Sequence, residues 1–238
     1  ADFVKKGIDV LDNDKGFFLM CEGGKIDWAC HANDAASTIH DTVALADAVQ
    51  VAVDFAKGHP DETLILVTGD HETGGLTIGF AGTDYDTYLS HLDAQKISYA
   101  KFDSDYVSAY KKNKPSFDTV LADIGQLFGL KVKGEEGDKL VLTEYELGLL
   151  KTAYEKSIQE KSTGMAKQAE YVAYGTYEPL TVTITHILNN KSGVSFTSYS
   201  HTGLPVAVFA DGVNAQDFKG YFDNTDIYNK LAAMLGVK

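Results

Sequence analysis

Apolar residues recur with two different periods along this chain, and the two periods together predict a mixed α/β fold. Steps of three and four residues predict a helix over about 2–12 and a longer helix from Asp34 to Lys57, with Asn33 as its N-cap. Continuous apolar runs predict buried strands at 16–22 and 63–69. Because a helix separates these strands in the sequence, we expect them to pair in parallel through a right-handed crossover.

The long helix is predicted to bury one stripe, and turn residues separate it from the strands that follow. Gly58 and Pro60 are typical of a helix end. Gly74-Gly75 opens a further short strand from Leu76 to Phe80. The residues expected on the buried stripe lie three or four positions apart: Ile39, Val43, Ala46, Val49 and Val53.

Residues 83–178 have a different character, and they are predicted to form a largely helical insertion. Tyr becomes frequent there, and Thr143 and Glu146 have the spacing of a capping box at the start of an amphipathic helix. The α/β core is expected to comprise residues 1–82 and to resume over 179–238. This last segment is predicted to contain strands at 180–187 and 206–210 and a final helix from Asp226 to Leu235.

Composition narrows the partners that the chain is expected to have. The 238 residues carry a net charge of −13, which repels a nucleic-acid duplex rather than attracting it. No run approaches the roughly 20 apolar residues that cross a bilayer, so no membrane span is expected. There is also no initiating Met and no charged-then-apolar leader. Because the sequence starts inside its first predicted helix, we expect it to be a fragment of a longer protein.

All 21 basic residues are Lys, and the sequence contains no Arg. Arg is the usual bidentate clamp for a phosphate oxyanion, so any phosphate chemistry done by these residues alone would proceed without one. The two cysteines, Cys21 and Cys30, cannot form a disulfide scaffold and match no zinc-knuckle spacing. We interpret Cys21 as a buried apolar residue and do not expect Cys30 to be a metal ligand.

The ends of the first two predicted strands carry residues with metal-binding chemistry. Asp70 and His71 directly follow the second strand, and the first strand ends in Glu22. Asp27 and His31 come four residues apart, which places them on one face of a helical turn. The carboxyl ends of the strands in an open α/β sheet are where ligands bind. We therefore expect these side chains to meet in one crevice.

His201 lies in a predicted loop just before a strand and could complete this set. Mixed His and Asp donors favour Zn²⁺, whereas the carboxylate of Glu22 suits Mg²⁺. Two metal ions about 3.5–4 Å apart can stabilise the attacking and leaving oxygens of an in-line phosphoryl displacement. The residues therefore indicate a metal-assembled active site. The remaining histidines are interpreted as surface or packing residues: His40, His59, His91 and His186.

Three stretches resemble the metal-binding motifs of the alkaline phosphatases, in the same order and with similar separations. They are Glu22-Gly-Gly-Lys-Ile-Asp27-Trp-Ala-Cys-His31, Val67-Thr-Gly-Asp70-His71 and His201-Thr-Gly203. The resemblance covers residues 1–82 and about 193–238, and it does not extend into 83–178. It implies a partial three-layer α/β/α sheet of the alkaline phosphatase type that carries the helical insertion.

The resemblance also implies a role for each matched position. Glu22 matches the ligand of a Mg²⁺ ion. Asp27, His31 and His201 match the ligands of a first Zn²⁺, which holds the attacking water or the leaving group. The pair Asp70-His71 matches ligands of a second Zn²⁺, which activates a serine nucleophile.

Further expectations about substrate and assembly follow from the same resemblance. Trp28 lies where members of the family vary, at a position that tunes phosphate binding and metal preference. The family relationship implies phosphate monoesters as substrates and a homodimer as the assembly. It also implies export to the periplasm or the cell exterior.

The sequence departs from the family pattern at the nucleophile. The family's Asp-Ser-Ala motif, the bridging Asp before it and the phosphate-clamping Arg after it are absent, and Asp103-Ser104 matches neither their context nor their order. We therefore interpret the chain as the C-terminal half of an alkaline phosphatase that is inactive by itself. Two alternatives stay open: a portion of a related phosphodiesterase, sulfatase or phosphomutase, and a non-catalytic metal-binding or dimerisation domain.

Overall fold

Helices make up most of the computed structural model, which describes residues 1–159 and 168–237. The α-helices are α1 (Asp2–Leu11), α2 (Gly24–His31), α3 (Ala35–Ala56), α4 (Tyr99–Phe102), α5 (Ser108–Asn113), α6 (Phe117–Phe128), α7 (Glu144–Ser157), α8 (Gln168–Tyr174), α9 (Pro179–Lys191) and α10 (Asp226–Leu235). A π-helical turn, Asp103–Val107, joins α4 to α5, and 3₁₀ turns cover Ala81–Thr83, Leu89–Ala94 and Ala215–Phe218. The strands are β1 (Leu64–Thr68), β2 (Glu72–Thr73), β3 (Thr77–Ile78), β4 (Val194–Ser195), β5 (His201–Thr202) and β6 (Val208–Gly212). The mixed α/β class is confirmed.

The chain divides into two units. The first contains Ala1–Gly23, Asp41–Glu72 and Gly203–Lys238, and the second contains Gly24–His40 and Thr73–Thr202. The predicted domain boundaries after residues 82 and 178 stay predictions, and residues 160–167 of the predicted insertion lie outside the described residues. Within the described ranges, no helix is both long enough and apolar enough to cross a bilayer.

The first unit has a small core around α1. Val4 and Ile8 on α1 and Ala48 on α3 are buried together. Strands β1 and β6 pair antiparallel, with Leu64 opposite Gly212 and Thr68 opposite Val208. The strand at 63–69 is thereby confirmed, with ends one residue shorter, but its parallel pairing is wrong.

The predicted strand at 16–22 is also wrong, because these residues form neither helix nor strand. Phe17 and Leu19 pack against the Val4 and Ile8 core, whereas Phe18 and Met20 are 57% and 73% exposed. Alternate residues of an irregular segment can bury their side chains as those of a strand do. The apolar run therefore reflects one-sided packing of an irregular segment.

The N-terminal half of α3 corrects two further expectations. Asp34, not Asn33, caps the helix, since its Oδ1 accepts a hydrogen bond from the Ser37 amide at 2.9 Å. Ile39 and Val43 are 44% and 55% exposed, so the predicted buried stripe is wrong at these positions. The buried face in the first unit instead includes Ala48, with Val51 and Phe55 packed against it.

The second unit is built around α9, which sequence analysis interpreted as a strand over 180–187. The run Leu-Thr-Val-Thr-Ile-Thr is rich in β-branched residues, which favour strands. Pro179 occupies the first turn of the helix, where its missing N–H costs nothing. Leu180, Ile184 and Leu188 are fully buried at helical spacing. Burial in the surrounding core therefore overrides the local strand preference.

Aromatic side chains fill much of the second core. Phe102 is fully buried, and its ring meets that of Phe128 edge-on at 5.1 Å and that of Tyr110 at 6.2 Å. Helix α7 packs against α9 and begins with the predicted capping box, in which Thr143 and Glu146 each bond the other's backbone amide. The capping box and the final helix at Asp226–Leu235 are therefore confirmed.

The hydrogen bond of the Tyr110 hydroxyl is expected to contribute to the stability of this core. It donates to Asp123 Oδ2 at 2.7 Å, and Tyr110 is only 5% exposed. We expect Tyr110→Phe to lower the free energy of unfolding by about 1–2 kcal/mol, because Asp123 loses a partner while the aromatic ring stays in place. Urea unfolding followed by circular dichroism measures this loss. Tyr145→Phe is the matched control, since Tyr145 is 75% exposed, and an equal loss in both variants would contradict the assignment.

Candidate metal centre

The second unit brings together three of the predicted ligands. Asp27 and His31 lie one turn apart on α2, with His31 Nε2 3.4 Å from Asp27 Oδ1. His201 opens β5 and places its Nε2 3.8 Å from the same oxygen. The two imidazole rings are 5.0 Å apart between centroids. Two imidazole nitrogens therefore converge on one carboxylate oxygen, although His201 is 170 positions from His31 in the sequence.

These three side chains remain accessible to solvent. The exposed fractions are 24% for the side chain of His31, 34% for Asp27 and 50% for His201. All three side chains are therefore partly buried and partly exposed. A small ligand can reach it from solvent.

Two hydrogen bonds orient the candidate ligand atoms of Asp27 and His31. The Thr73 hydroxyl donates to Asp27 Oδ1 at 2.6 Å. His31 Nδ1 lies 2.7 Å from the Tyr199 carbonyl oxygen, which can only accept, so Nδ1 carries the proton. The lone pair of the neutral imidazole is then on Nε2, the nitrogen that faces Asp27. A backbone carbonyl on the far nitrogen is the usual partner of a metal-binding histidine.

Gly74 fixes the segment that precedes His201. Its amide donates to the Ser200 carbonyl at 2.9 Å, and its own carbonyl accepts from the amides of Thr197 and Ser198 at 2.9 and 3.0 Å. Its φ of +84° is a conformation that side chains rarely adopt. A Cβ at this position would lie 2.9 Å from the Cys30 carbonyl oxygen. The close approach of Gly74 to the end of α2 therefore requires glycine.

The first unit holds the other predicted ligands. Asp70 and His71 follow β1, with His71 Nε2 3.4 Å from Asp70 Oδ2. The side chain of Asp70 is 86% exposed and that of His71 is 31% exposed. The Asp70 carbonyl accepts a hydrogen bond from Asn224 Nδ2 at 3.4 Å. Glu22 is exposed in the irregular segment after α1, and so is Cys21, so the prediction that Cys21 is buried is wrong.

Trp28 also lies on α2, one residue after Asp27. Its side chain is 55% exposed, and Lys25 Nζ lies 3.6 Å from the ring centroid. A cation over an indole face is a favourable contact that keeps both groups at the surface. Trp28 and Lys25 therefore present one aromatic and one positive group beside the ligand-bearing face of the helix.

Three of the other four histidines contact neighbouring side chains. His59 stacks on Phe55 and His91 stacks on Tyr88, while His40 is exposed. His186 lies on α9 rather than on the predicted strand, and its Nε2 is 2.9 Å from Asn33 Oδ1. Burial lowers the pKa of His186 to about 4, so this ring is neutral at neutral pH.

The donor set fits a zinc ion. Tetrahedral Zn²⁺ with ligands at about 2.0–2.2 Å separates two donor atoms by roughly 3.3–3.6 Å. The separations of 3.4 and 3.8 Å from Asp27 Oδ1 are close to this value. Two imidazoles and one carboxylate also leave a position open on the metal, as catalytic zinc sites do.

The comparison with protein families decides the relationship that the motifs imply. The model of the alkaline phosphatase family matches residues 1–237. The chain belongs to the alkaline phosphatase family. The predicted relationship is therefore confirmed along nearly the whole length, including residues 83–178, where the motifs alone gave no resemblance.

Characterised alkaline phosphatases agree with this assignment. Alkaline phosphatase 4 of Bacillus subtilis is 31% identical over 236 residues, which is 98% of this chain and 43% of that protein. Alkaline phosphatase 3 of the same organism is 31% identical and covers 95% of this chain and 42% of its own length. The chain thus spans less than half the length of these relatives.

Solved structures show the same fold. The cold-active alkaline phosphatase of a psychrophilic Shewanella species superposes with a TM-score of 0.72 at 31% identity, covering 98% of this chain and 49% of that one. The alkaline phosphatase of Thermus thermophilus gives a TM-score of 0.66 at 20% identity, covering 91% of this chain and 43% of that one. The alkaline phosphatase fold is therefore shown for this chain.

The residues that orient the candidate ligands Asp27 and His31 are not among those that the sequence motifs indicated. Thr73 stands three residues after Asp70, so its proximity to the motif was a usable signal. The Tyr199 carbonyl is a backbone group, and no side-chain pattern could indicate it. Asn33 was interpreted as a helix cap, whereas its side chain bonds the Cys30 and Ser198 carbonyls.

Proposed function

We propose that this chain is the C-terminal, metal-binding portion of an alkaline phosphatase that hydrolyses phosphate monoesters through a phosphoserine intermediate. The observation that carries the proposal is the convergence of Asp27, His31 and His201, with donor separations that suit one zinc ion. Family membership supports a phosphatase. The family generally uses metal ions.

The metal ligands are proposed as follows. Asp27, His31 and His201 would hold one Zn²⁺, Asp70-His71 would contribute to a second, and Glu22 would contribute to a Mg²⁺ site. Bound zinc supplies Lewis-acid stabilisation of the attacking and leaving oxygens. We expect the first site to bind zinc best, because all three of its protein ligands lie in this chain. Calorimetry that finds three equally tight sites would contradict this order.

The chain's own residues prepare the site for this chemistry. The Tyr199 carbonyl holds His31 in the tautomer that leaves Nε2 available, and the Thr73 hydroxyl holds the Asp27 carboxylate. Trp28 and Lys25 lie on the exposed side of α2, where they would contact the phosphate ester. Orienting ligands in advance lowers the reorganisation that binding requires.

The nucleophile and the phosphate clamp are proposed to come from outside these 238 residues. The Asp-Ser pair here, Asp103-Ser104, lies in the π-helical turn, where Ser104 Oγ donates to Asp105 Oδ1 at 2.7 Å. Among the described residues, neither Asp103 nor Ser104 forms a hydrogen bond with Asp27. The complete enzyme would act on phosphate monoesters as an exported homodimer.

Activity measurements test the proposal in two steps. The 238-residue chain, supplied with Zn²⁺ and Mg²⁺, is expected to hydrolyse a chromogenic phosphate monoester no faster than its Asp27→Asn variant. A chimera in which this chain replaces the matched 43% of Bacillus subtilis alkaline phosphatase 4 is expected to be active. Rapid turnover by the isolated chain would overturn its proposed inactivity.

The chimera also separates the proposed function from its alternatives. Asp27→Asn should abolish its activity, whereas Asp54→Asn, at a surface position bonded to Lys57, should leave it intact. Preference for a phosphate diester or a sulfate ester would instead favour a related hydrolase. An inactive chimera that still binds zinc would favour a non-catalytic metal-binding domain.

A further inference from the structure

We propose that Asn33, held by His186, is a positioning residue that sets the zinc affinity of the Asp27, His31 and His201 site. The inference rests on the proposed metal-binding function, and it concerns residues that touch no ligand atom of the site. Asn33 lies two residues after the end of α2 and is 2% exposed. Its φ of +53° lies in the left-handed region, which Asn tolerates better than most residues.

Both polar atoms of the Asn33 side chain have hydrogen-bond partners. Its Nδ2 donates to the carbonyls of Cys30 and Ser198, each at 2.9 Å. Because the amide nitrogen is occupied in this way, Oδ1 must accept, and His186 Nε2 lies 2.9 Å from it. The Asn33 backbone carbonyl accepts from Asn189 Nδ2 at 2.8 Å. One residue therefore ties the end of α2 to α9 and to the segment before His201.

That segment places the groups that orient the metal ligands. Three consecutive carbonyls each accept one hydrogen bond: Ser198 from Asn33, Tyr199 from His31 and Ser200 from the Gly74 amide. The bond from Asn33 fixes the peptide next to the one that bonds His31. Loss of it would free the Tyr199 carbonyl, and with it the orientation of the His31 ring and the start of β5.

His186 supports this arrangement from the side of α9. Its ring stacks on Tyr199 at 6.0 Å between centroids with an interplanar angle of 27°. The Tyr199 hydroxyl donates to the Ala173 carbonyl at 2.7 Å, which holds the ring from its other end. His186 thus contacts both the side chain of Asn33 and the residue whose carbonyl bonds His31. Its hydrogen bond to Asn33 needs a donor at Nε2, which Gln could replace and Phe could not.

Zinc and cobalt binding test the inference on the whole 238-residue chain. We expect Asn33→Asp and His186→Phe to weaken Zn²⁺ binding in calorimetry by about 10- to 100-fold, as losses of outer partners of metal ligands do. We expect both to change the visible absorption spectrum of the Co²⁺-substituted site. His186→Gln should restore most of the affinity. Tyr110→Phe, which removes a buried hydrogen bond in the Phe102 core, should leave zinc affinity unchanged.

The outcomes distinguish this inference from the proposed function. If the wild-type chain binds zinc and both variants fold and bind it equally well, the positioning role is overturned. If Asn33→Asp fails to fold, His186→Phe and its His186→Gln counterpart still decide the question. If the wild-type chain binds no zinc and the chimera is inactive, the proposed function itself fails.

Discussion

Replacing Asp27 with Asn is expected to weaken zinc binding by more than about 100-fold, beyond the range seen when only an outer partner is lost. Asp27 Oδ1 is the atom on which His31 and His201 converge. The amide keeps the shape of the carboxylate and an oxygen that can accept from Thr73, but it removes the negative charge that the cation needs. Calorimetric titration of the 238-residue chain with Zn²⁺ measures the change.

Two controls make the Asp27 result specific. Asp54→Asn removes a carboxylate at a surface position, where Asp54 bonds Lys57 and Gln50. It should leave zinc affinity unchanged. The far-ultraviolet circular dichroism of both variants should match that of the wild type. Zinc affinity that survives in Asp27→Asn would remove Asp27 from the proposed ligand set.

Asp34→Ala is expected to have the largest effect on stability, with a loss of about 3–5 kcal/mol in the free energy of unfolding, because it removes several hydrogen bonds and each donor deprived of its acceptor costs about 1–3 kcal/mol. Asp34 is fully buried. Its carboxylate accepts from Ser37 N at 2.9 Å, Ser37 Oγ at 2.7 Å, Gln95 Nε2 at 2.8 Å and Tyr99 N at 2.9 Å. Removal of the carboxylate would take this acceptor away from Ser37 and Tyr99 and leave Gln95 Nε2 with its bond to the Ile97 carbonyl alone.

Urea unfolding of Asp34→Ala and Asp34→Asn separates the causes of this loss. Burial raises the pKa of Asp34, and the hydrogen bonds oppose that shift. Asn keeps the volume and one accepting oxygen, so its loss should be smaller than that of Ala. Asp41→Ala serves as a control on the same helix, because Asp41 lies in the part of α3 that belongs to the first unit. Equal stability of Asp34→Ala and wild type would show that the buried carboxylate is dispensable.

Local sequence patterns correctly predicted the features that interactions between residues close in the sequence determine. The i, i+4 spacing of Asp27 and His31 placed them correctly on one face of a helix. Thr143 and Glu146 marked the start of α7, because a capping box is completed within four residues. The strand at 63–69 was recognised from its apolar run. The strand at 206–210 overlaps β6, but its pairing with β1 was not predicted, because β6 is more than a hundred positions away and pairing is decided by tertiary contacts.

The wrong predictions concern elements whose structure is decided by tertiary contacts or by a competing neighbouring residue. The β-branched run in α9 is helical because Leu180, Ile184 and Leu188 are buried in the second core. Asn33 resembled a helix cap because Asn commonly is one, yet the neighbouring Asp34 takes that role. For the candidate site, side-chain type indicated Asp27, His31 and His201. The Thr73 hydroxyl and the Tyr199 carbonyl became visible only once the chain was folded.

The backbone of Gly74 holds the segment before His201 through three main-chain hydrogen bonds. None of them depends on the identity of the side chains at Thr197, Ser198 or Ser200. Within the same loop, the side chain of Ser198 adds one further bond, since its Oγ accepts from the Ser200 amide at 2.9 Å. A single methyl group at position 74 would push against the Cys30 carbonyl, at the end of the helix that carries Asp27 and His31. The close approach of this helix to the segment before His201 thus depends on the absence of a side chain at position 74.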